Sequence, residues 1–237
     1  MMPGTLSVVA TPIGNLGDIT LRAIETLKNS DVIACEDTRV TAKLLARYEI
    51  KKPLLIYHEA SARSLGTKIL ALLGEGKHIA LVTDAGTPGI SDPGTELVAR
   101  VRQLTDARVE AIPGPSALTA ALSIAGVPTE EFLFLGFLPH KKGRQTLFKE
   151  IVAEKRAVIF YESPHRIEKA LRSLADSLAP ARPDSAKATT GKSVTVCREL
   201  TKIHESVVQG SAAEVAAYFE THPSEVRGEF VVIIGGQ

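Results

Sequence analysis

The chain of 237 residues holds only two cysteines, Cys35 and Cys197. Each lies in an apolar, strand-like run, so the reading is two buried reduced thiols rather than a disulfide framework. No apolar stretch is long enough to span a bilayer. Met1 to Ala10 has no basic segment leading into an apolar one, so neither a membrane anchor nor an export signal is expected. A cytoplasmic protein is therefore expected. Charge of one sign is missing as well: 28 Lys and Arg against 27 Asp and Glu give a net charge of +1. That excludes a uniformly basic coat for nucleic acid but leaves room for a local basic lip.

Two kinds of ligand site are also missing. Gly191-Lys192-Ser193 looks like the end of a Walker A motif. The position of its leading glycine holds Ala186, however, and a strand-like run follows where a helix is required. The six histidines, His58, His78, His140, His165, His204 and His222, show no ligand spacing with one another or with the cysteines, so no metal is expected.

What is present is a chain 44% hydrophobic and 23% charged, enough apolar material for packed domains. Leu6–Ala10, Val32–Cys35, Leu54–Tyr57, Ile79–Thr83 and Val109–Ile112 read as continuous apolar strands. Helical patterns separate them: Leu21, Ile24 and Leu27; Val40, Leu44, Leu45 and Tyr48; Leu65, Ile69, Leu72 and Leu73; and 95–104. Fully apolar strands between amphipathic helices indicate a parallel sheet covered on both faces. Pro113-Gly114-Pro115 is a rigid break. Beyond it come a helix over 116–125, strands at 132–137, 158–161, 194–197, 206–208 and 230–234, and helices around Phe148 and Leu171. The closely spaced late strands indicate a mixed sheet, and 179–192 reads as a mobile loop. The expectation is an α/β protein of two α/β domains, a parallel-sheet domain over 1–114 and a mixed-sheet domain over 115–237.

In such sheets ligands bind beyond the carboxyl ends of the strands. The loop after the fourth strand, Asp84-Ala85-Gly86-Thr87-Pro88-Gly89-Ile90-Ser91-Asp92-Pro93-Gly94, is unusual there. Three glycines, two prolines and two aspartates in eleven positions are more than a strand-to-helix turn requires. Proline stiffens such a loop and glycine lets its backbone face a ligand. With no lysine in it, the loop suits a nucleoside without phosphates. The loop after the first strand carries Pro12, Gly14 and Gly17; alone it is equally a tight connection capped by Asp18. The loop after the second strand, Glu36-Asp37-Thr38-Arg39, is equally a helix start capped by Asp37 or Thr38. Polar clusters also follow later strands: Tyr161 to Arg166, Arg198 to Lys202, and the basic turn His140-Lys141-Lys142-Gly143-Arg144.

Six of these motifs occur in one order: Val9 to Leu16, Cys35 to Arg39, Asp84 to Gly94, Gly136 to Pro139, Tyr161 to Arg166 and Arg198 to Lys202. Together, over nearly the whole chain, they resemble the small-subunit ribosomal RNA methyltransferases of the tetrapyrrole methylase superfamily. The resemblance implies S-adenosylmethionine as cofactor, held in a cleft between the two domains by Pro12, Asp84, Gly86, Thr87, Pro88, Ile90, Ser91, Asp92, Ser116, Ala117 and Glu162. It implies a homodimer, and 2′-O-ribose methylation of a cytidine in 16S rRNA of the small ribosomal subunit. Two departures stand out: 179–192 is longer than the connection usual there, and the chain ends at Gln237 without the extension some members carry.

Methyl transfer to a ribose hydroxyl calls for positioning, and for a base or a cation near the developing charge. Asp37 and Glu162 are candidate bases, and Arg39 and Arg166 candidate cations. Arg22, Arg39, Lys141, Lys142, Arg144 and Lys202 are expected to form a basic lip for RNA. The alternatives are a small-molecule methyltransferase acting on a tetrapyrrole, a nucleotide-binding metabolic enzyme, and a non-catalytic ribosome-binding module.

Overall fold

A computed structural model of the chain describes residues 3–57, 62–92, 94–139, 143–178 and 192–236. The chain divides into two units, residues 1–116 and 117–237.

The first unit alternates strand and helix: β1 (Thr5–Val9), α1 (Leu21–Asn29), β2 (Val32–Cys35), α2 (Thr38–Arg47), β3 (Leu54–Ile56), α3 (Ala62–Gly74), β4 (His78–Leu81), α4 (Thr95–Leu104) and β5 (Arg108–Ile112). The five strands form one parallel sheet in the order β3-β2-β4-β1-β5. Successive side chains point to opposite faces, and both faces are apolar. Val9, Ile33, Cys35, Ala80 and Val82 pack with Ala23 and Leu27 of α1 and Leu44 and Leu45 of α2. Leu6, Ala34, Ile79 and Leu81 pack with Ile69 and Leu73 of α3 and Leu97 and Val101 of α4. This is why the strands read as largely apolar runs; the exceptions inside them, Ser7 of β1 and Glu110 of β5, hydrogen-bond to each other at 2.7 Å. It also brings the loops after β1, β2, β4 and β5 to one edge.

The second unit runs α5 (Ala117–Ile124), β6 (Phe132–Phe137), α6 (Arg144–Ala153), β7 (Ala157–Glu162), α7 (Ile167–Leu178), β8 (Val194–Arg198), β9 (Ser206–Gly210), α8 (Ala212–Thr221) and β10 (Phe230–Ile234). Its sheet is mixed, in the order β6-β7-β10-β8-β9; β6 and β7 are parallel, and the pairs of β10 with β7, β10 with β8 and β8 with β9 are antiparallel. So β6, β7 and β8 run the same way, and Gly136 to Pro139, Tyr161 to Arg166 and Arg198 to Lys202 all gather at one edge. Val158, Phe160, Val194, Val196, Val232 and Ile234 form one face of the core with Phe148, Leu171 and Phe219.

The sequence reading missed α8. Ser211 starts it with a capping box: its hydroxyl accepts from the Glu214 N–H, and the Glu214 carboxylate accepts from the Ser211 N–H. Lys192, the residue that suggested a phosphate loop, has a different task. Its buried ammonium donates to the carbonyls of Ile151 and Glu154 and so closes the C-terminal end of α6. Burial holds its pKa below the usual range. Residues 179–191, which hold most of the expected mobile loop, lie outside the described residues. Both cysteines are free and buried, and burial pushes the Cys197 thiol up to about 11. Among the described residues no helix is long and apolar enough to cross a membrane, and no cluster of His, Cys, Asp and Glu could hold a metal ion.

Candidate functional site

The segment after β4 is the hub of the first unit's loop edge. Thr11 and Gly86 exchange two backbone hydrogen bonds of 2.9 and 3.0 Å, which ties it to the loop after β1. The Thr11 hydroxyl adds a bond of 3.1 Å to the Thr83 carbonyl. The Thr87 hydroxyl donates to the Pro115 carbonyl at 3.2 Å, which ties it to the segment after β5. The Asp84 carboxylate accepts from the Asp37 N–H at 3.1 Å, and the Thr83 hydroxyl donates to Glu36 at 3.2 Å, which tie it to the loop after β2. Four loops are thus held in one arrangement by protein contacts.

The backbone of this segment is special. Gly86 lies at φ +84°, where a side chain is strained. Ser91 holds φ +65° without being glycine, and strain of that kind gathers at functional sites. Pro12, Gly86 and Pro88 are buried, Asp84, Thr87, Asp92, Ser116 and Ala117 are half-buried, and Ile90 and Ser91 are exposed. Pro93 lies outside the described residues. Burial raises the Asp84 pKa above the usual aspartate range, and the nearby Asp37 charge adds to the rise. A half-buried carboxylate, backbone polar groups and no lysine or arginine between 82 and 94 form a donor set for a cationic, phosphate-free ligand.

Asp37 behaves as a helix cap. It accepts from the Arg39 N–H at 2.8 Å at the start of α2, and its carboxylate pairs with the Arg39 guanidinium at 2.5 Å. Those contacts hold its pKa at about 2, far below what suits a general base near neutral pH. Arg39 is exposed at 86% of its side chain but carries this partner. Arg22, on the first turn of α1, is exposed.

At the strand-end edge of the second unit expected site residues lie inside an ion cluster. Glu162 is only 1% exposed. One of its oxygens accepts from Arg144 at 3.0 Å; the other accepts from the Ser163 N–H at 2.9 Å and pairs with Arg166 at 2.7 Å. A carboxylate so enclosed is committed to two guanidiniums and a backbone N–H in this structure. Arg144, expected on a solvent-facing lip, is 8% exposed and also donates to the Pro139 carbonyl at 3.2 Å. It turns inward because it begins α6, whose inner face carries Phe148 and Ile151. Arg166 donates to the Leu138 carbonyl at 2.9 Å. The two arginines therefore clamp Glu162 and the exit of β6 together, a cluster the spacing of the motifs did not reveal. Lys202 is not an unopposed cation either: it pairs with Glu199 at 2.8 Å and Glu229 at 2.9 Å. Lys141 and Lys142 lie outside the described residues.

A parallel-sheet unit followed by a mixed-sheet unit, with a glycine- and proline-rich loop at the carboxyl edge of the first, defines a two-unit α/β protein with a candidate ligand loop. Residues 5–216 match the family model described as Tetrapyrrole (Corrin/Porphyrin) Methylases. The solved structure of the methyltransferase CobJ superposes with a TM-score of 0.68 over 98% of this chain and 94% of that chain, at 18% identity. Uroporphyrin-III C-methyltransferase of Thermus thermophilus, complexed with S-adenosylhomocysteine, gives 0.62 over 98% and 97%, also at 18% identity. Likeness at that identity concerns the fold. Sequence relatives are more specific. The ribosomal RNA small subunit methyltransferase I of Thermotoga maritima is 42% identical over 99% of both chains. Those of Synechocystis and Bacillus subtilis are 46% and 42% identical over 98% of this chain, and 79% and 75% of theirs. The chain belongs to the ribosomal RNA small subunit methyltransferase I family of tetrapyrrole methylases.

Proposed function

We propose that the chain is a cytoplasmic S-adenosylmethionine-dependent methyltransferase that modifies the 2′-hydroxyl of a cytidine in 16S rRNA. In this reading it works on the small ribosomal subunit, as a homodimer, with the cofactor held at the loop edge of the first unit. The observation that carries the reading is the kinship with small-subunit rRNA methyltransferases over nearly the full chain. The tetrapyrrole-methylating alternative has only the fold in its favour.

The cofactor fits the donor set of the first unit. The Asp84 carboxylate answers a positive ligand, the backbone around Gly86 and Pro88 faces a nucleoside, and Pro12, Thr87, Ser116 and Ala117 border the same loops. When bound, the cofactor supplies an electrophilic methyl group on a sulfonium. The chain's own task is to hold the acceptor hydroxyl in line with it, and such positioning contributes on the order of 7–11 kcal/mol in favourable systems. Asp37 is bound to Arg39 and Glu162 to two arginines, so the reading relies on positioning and on fixed charge.

Mass spectrometry of small-subunit rRNA from cells with and without the protein tests the reading. One cytidine should lose a methyl group in its absence, and the linkage beside it should become cleavable by alkali. Methylation unchanged in the deletion would overturn it.

The raised pKa of Asp84 gives a separate expectation. If the ionised carboxylate holds the cofactor, affinity for S-adenosylhomocysteine falls on acidification. Because the folded pKa is raised, the fall begins at higher pH than for an ordinary aspartate. Asp84→Asn should bind more weakly and with a flatter pH profile by calorimetry; an unchanged profile would remove Asp84 from the site.

A further inference from the structure

The last residues of β6 do something that strand alternation alone would not. Phe132, Leu133 and Phe134 pair with Ala157, Val158 and Ile159 in simple register. The register then shifts, so that Phe137 stands opposite Tyr161. Three steps along β6 match two along β7, and Gly136 takes up the extra residue at φ +61°. Without this bulge, alternation from Phe134 would point Phe137 into the core and Leu138 outward. The observed chain does the reverse: Leu138 is 2% exposed and packs in the core, and Phe137 is 56% exposed. Bulges that re-aim one side chain are common beside functional sites.

The exposed ring is braced. Tyr161 meets Phe137 edge to face at 5.5 Å between centroids, and meets Phe134 in the same way at 5.0 Å. The backbone just beyond the ring is fixed as well, because Arg166 holds the Leu138 carbonyl and Arg144 holds the Pro139 carbonyl. Within the cluster itself two guanidiniums face the single carboxylate of Glu162, an excess of one positive charge at the ends of β6 and β7. A preset aromatic face beside positive charge matches an unpaired nucleobase and its phosphate.

We propose that Phe137 is a stacking platform for an unpaired base of the RNA substrate; the proposal rests on the rRNA reading above. Steady-state methyl transfer to unmethylated small subunits tests it. Phe137→Ala should raise KM for the subunit by roughly 5- to 150-fold, the range expected for one lost stacking contact. Affinity for S-adenosylhomocysteine should not change. Phe137→Leu should behave like Phe137→Ala, because a base needs a flat face. Phe137→Trp should keep the wild-type KM. The chain has no other tryptophan, so fluorescence of Phe137→Trp should also be quenched by small-subunit rRNA in which the target is unmethylated. An unchanged KM in Phe137→Ala, or a wild-type KM in Phe137→Leu, would overturn stacking. Loss of self-association in Phe137→Ala by sedimentation, with KM restored at high protein concentration, would assign the ring to an interface between copies instead. Absence of methyl transfer by the wild-type protein itself would sink the rRNA reading, and the platform with it.

Discussion

Glu162→Gln should lower the unfolding temperature by about 6–20 °C. The substitution keeps the shape of the side chain and removes its charge. Arg144 and Arg166 are then left with no carboxylate between them, and the amide N–H of glutamine competes with a guanidinium for the same space. Breaking a buried ion pair by removing one partner costs about 3–5 kcal/mol, and in a protein of this size each kcal/mol shifts the midpoint by about 2–4 °C. The Glu162 side chain is fully buried and that of Arg144 nearly so, so water does little to screen the effect. A melt followed by circular dichroism measures it. Glu162→Gln/Arg144→Met should melt closer to the wild type than the two single losses would sum to, since only one buried charge then lacks its partner. If Glu162→Gln melts with the wild type yet transfers no methyl group, the carboxylate is the base that the sequence suggested, and its enclosure by arginine is relieved during turnover.

The same cluster shows where sequence reading stops. The inner strands of the first unit were legible because burial on both faces makes them nearly unbroken apolar runs, as in Val32–Cys35; β1 and β5 each carry one polar interruption, Ser7 and Glu110, which hydrogen-bond to each other. The loop after β4 was legible because glycine, proline and aspartate crowd it beyond the needs of a turn. The Arg144–Glu162 pair was not, since its members are 18 residues apart and meet only because β6 and β7 lie side by side. In sequence Arg144 ends a basic turn and reads as a surface cation; only the inward face of α6 shows it turning to the core. The bulge at Gly136 leaves no periodic signal, since one inserted residue only reverses an alternation. Helix α8 was passed over because its alanines give weak contrast between faces, although Ser211 and Glu214 carried a capping-box signal. Lys192 shows a partial match rightly set aside: three residues matched part of a motif whose remaining parts were absent, and its ammonium closes the end of α6 instead.

Gly86→Val should weaken binding of S-adenosylhomocysteine by roughly 5- to 150-fold while the first unit still folds. A β-branched residue at φ +84° is strained by about 1–3 kcal/mol whatever space surrounds it. The first added carbon alone is tolerable, at 3.4 Å from the Ile13 side chain and 3.9 Å from the Pro115 carbonyl. The two γ-methyl groups beyond it are not so easily placed. The cheapest relief is for the loop to swing away, which breaks the paired bonds between Thr11 and Gly86 and loosens Thr87 from Pro115. Strands β1 and β4 stay anchored through Leu6 and Leu81, which belong to the core below. If binding requires the loops as found, relief of strain and binding become competing states, and the strain appears as lost affinity. Gly86→Ala should show a smaller loss, since it adds the unfavourable φ without the branch. Calorimetric titration with S-adenosylhomocysteine, alongside a melt of each variant, separates the outcomes. A lowered melting point with wild-type affinity would mean that the loop after β4 is a structural connection and that the cofactor is held elsewhere.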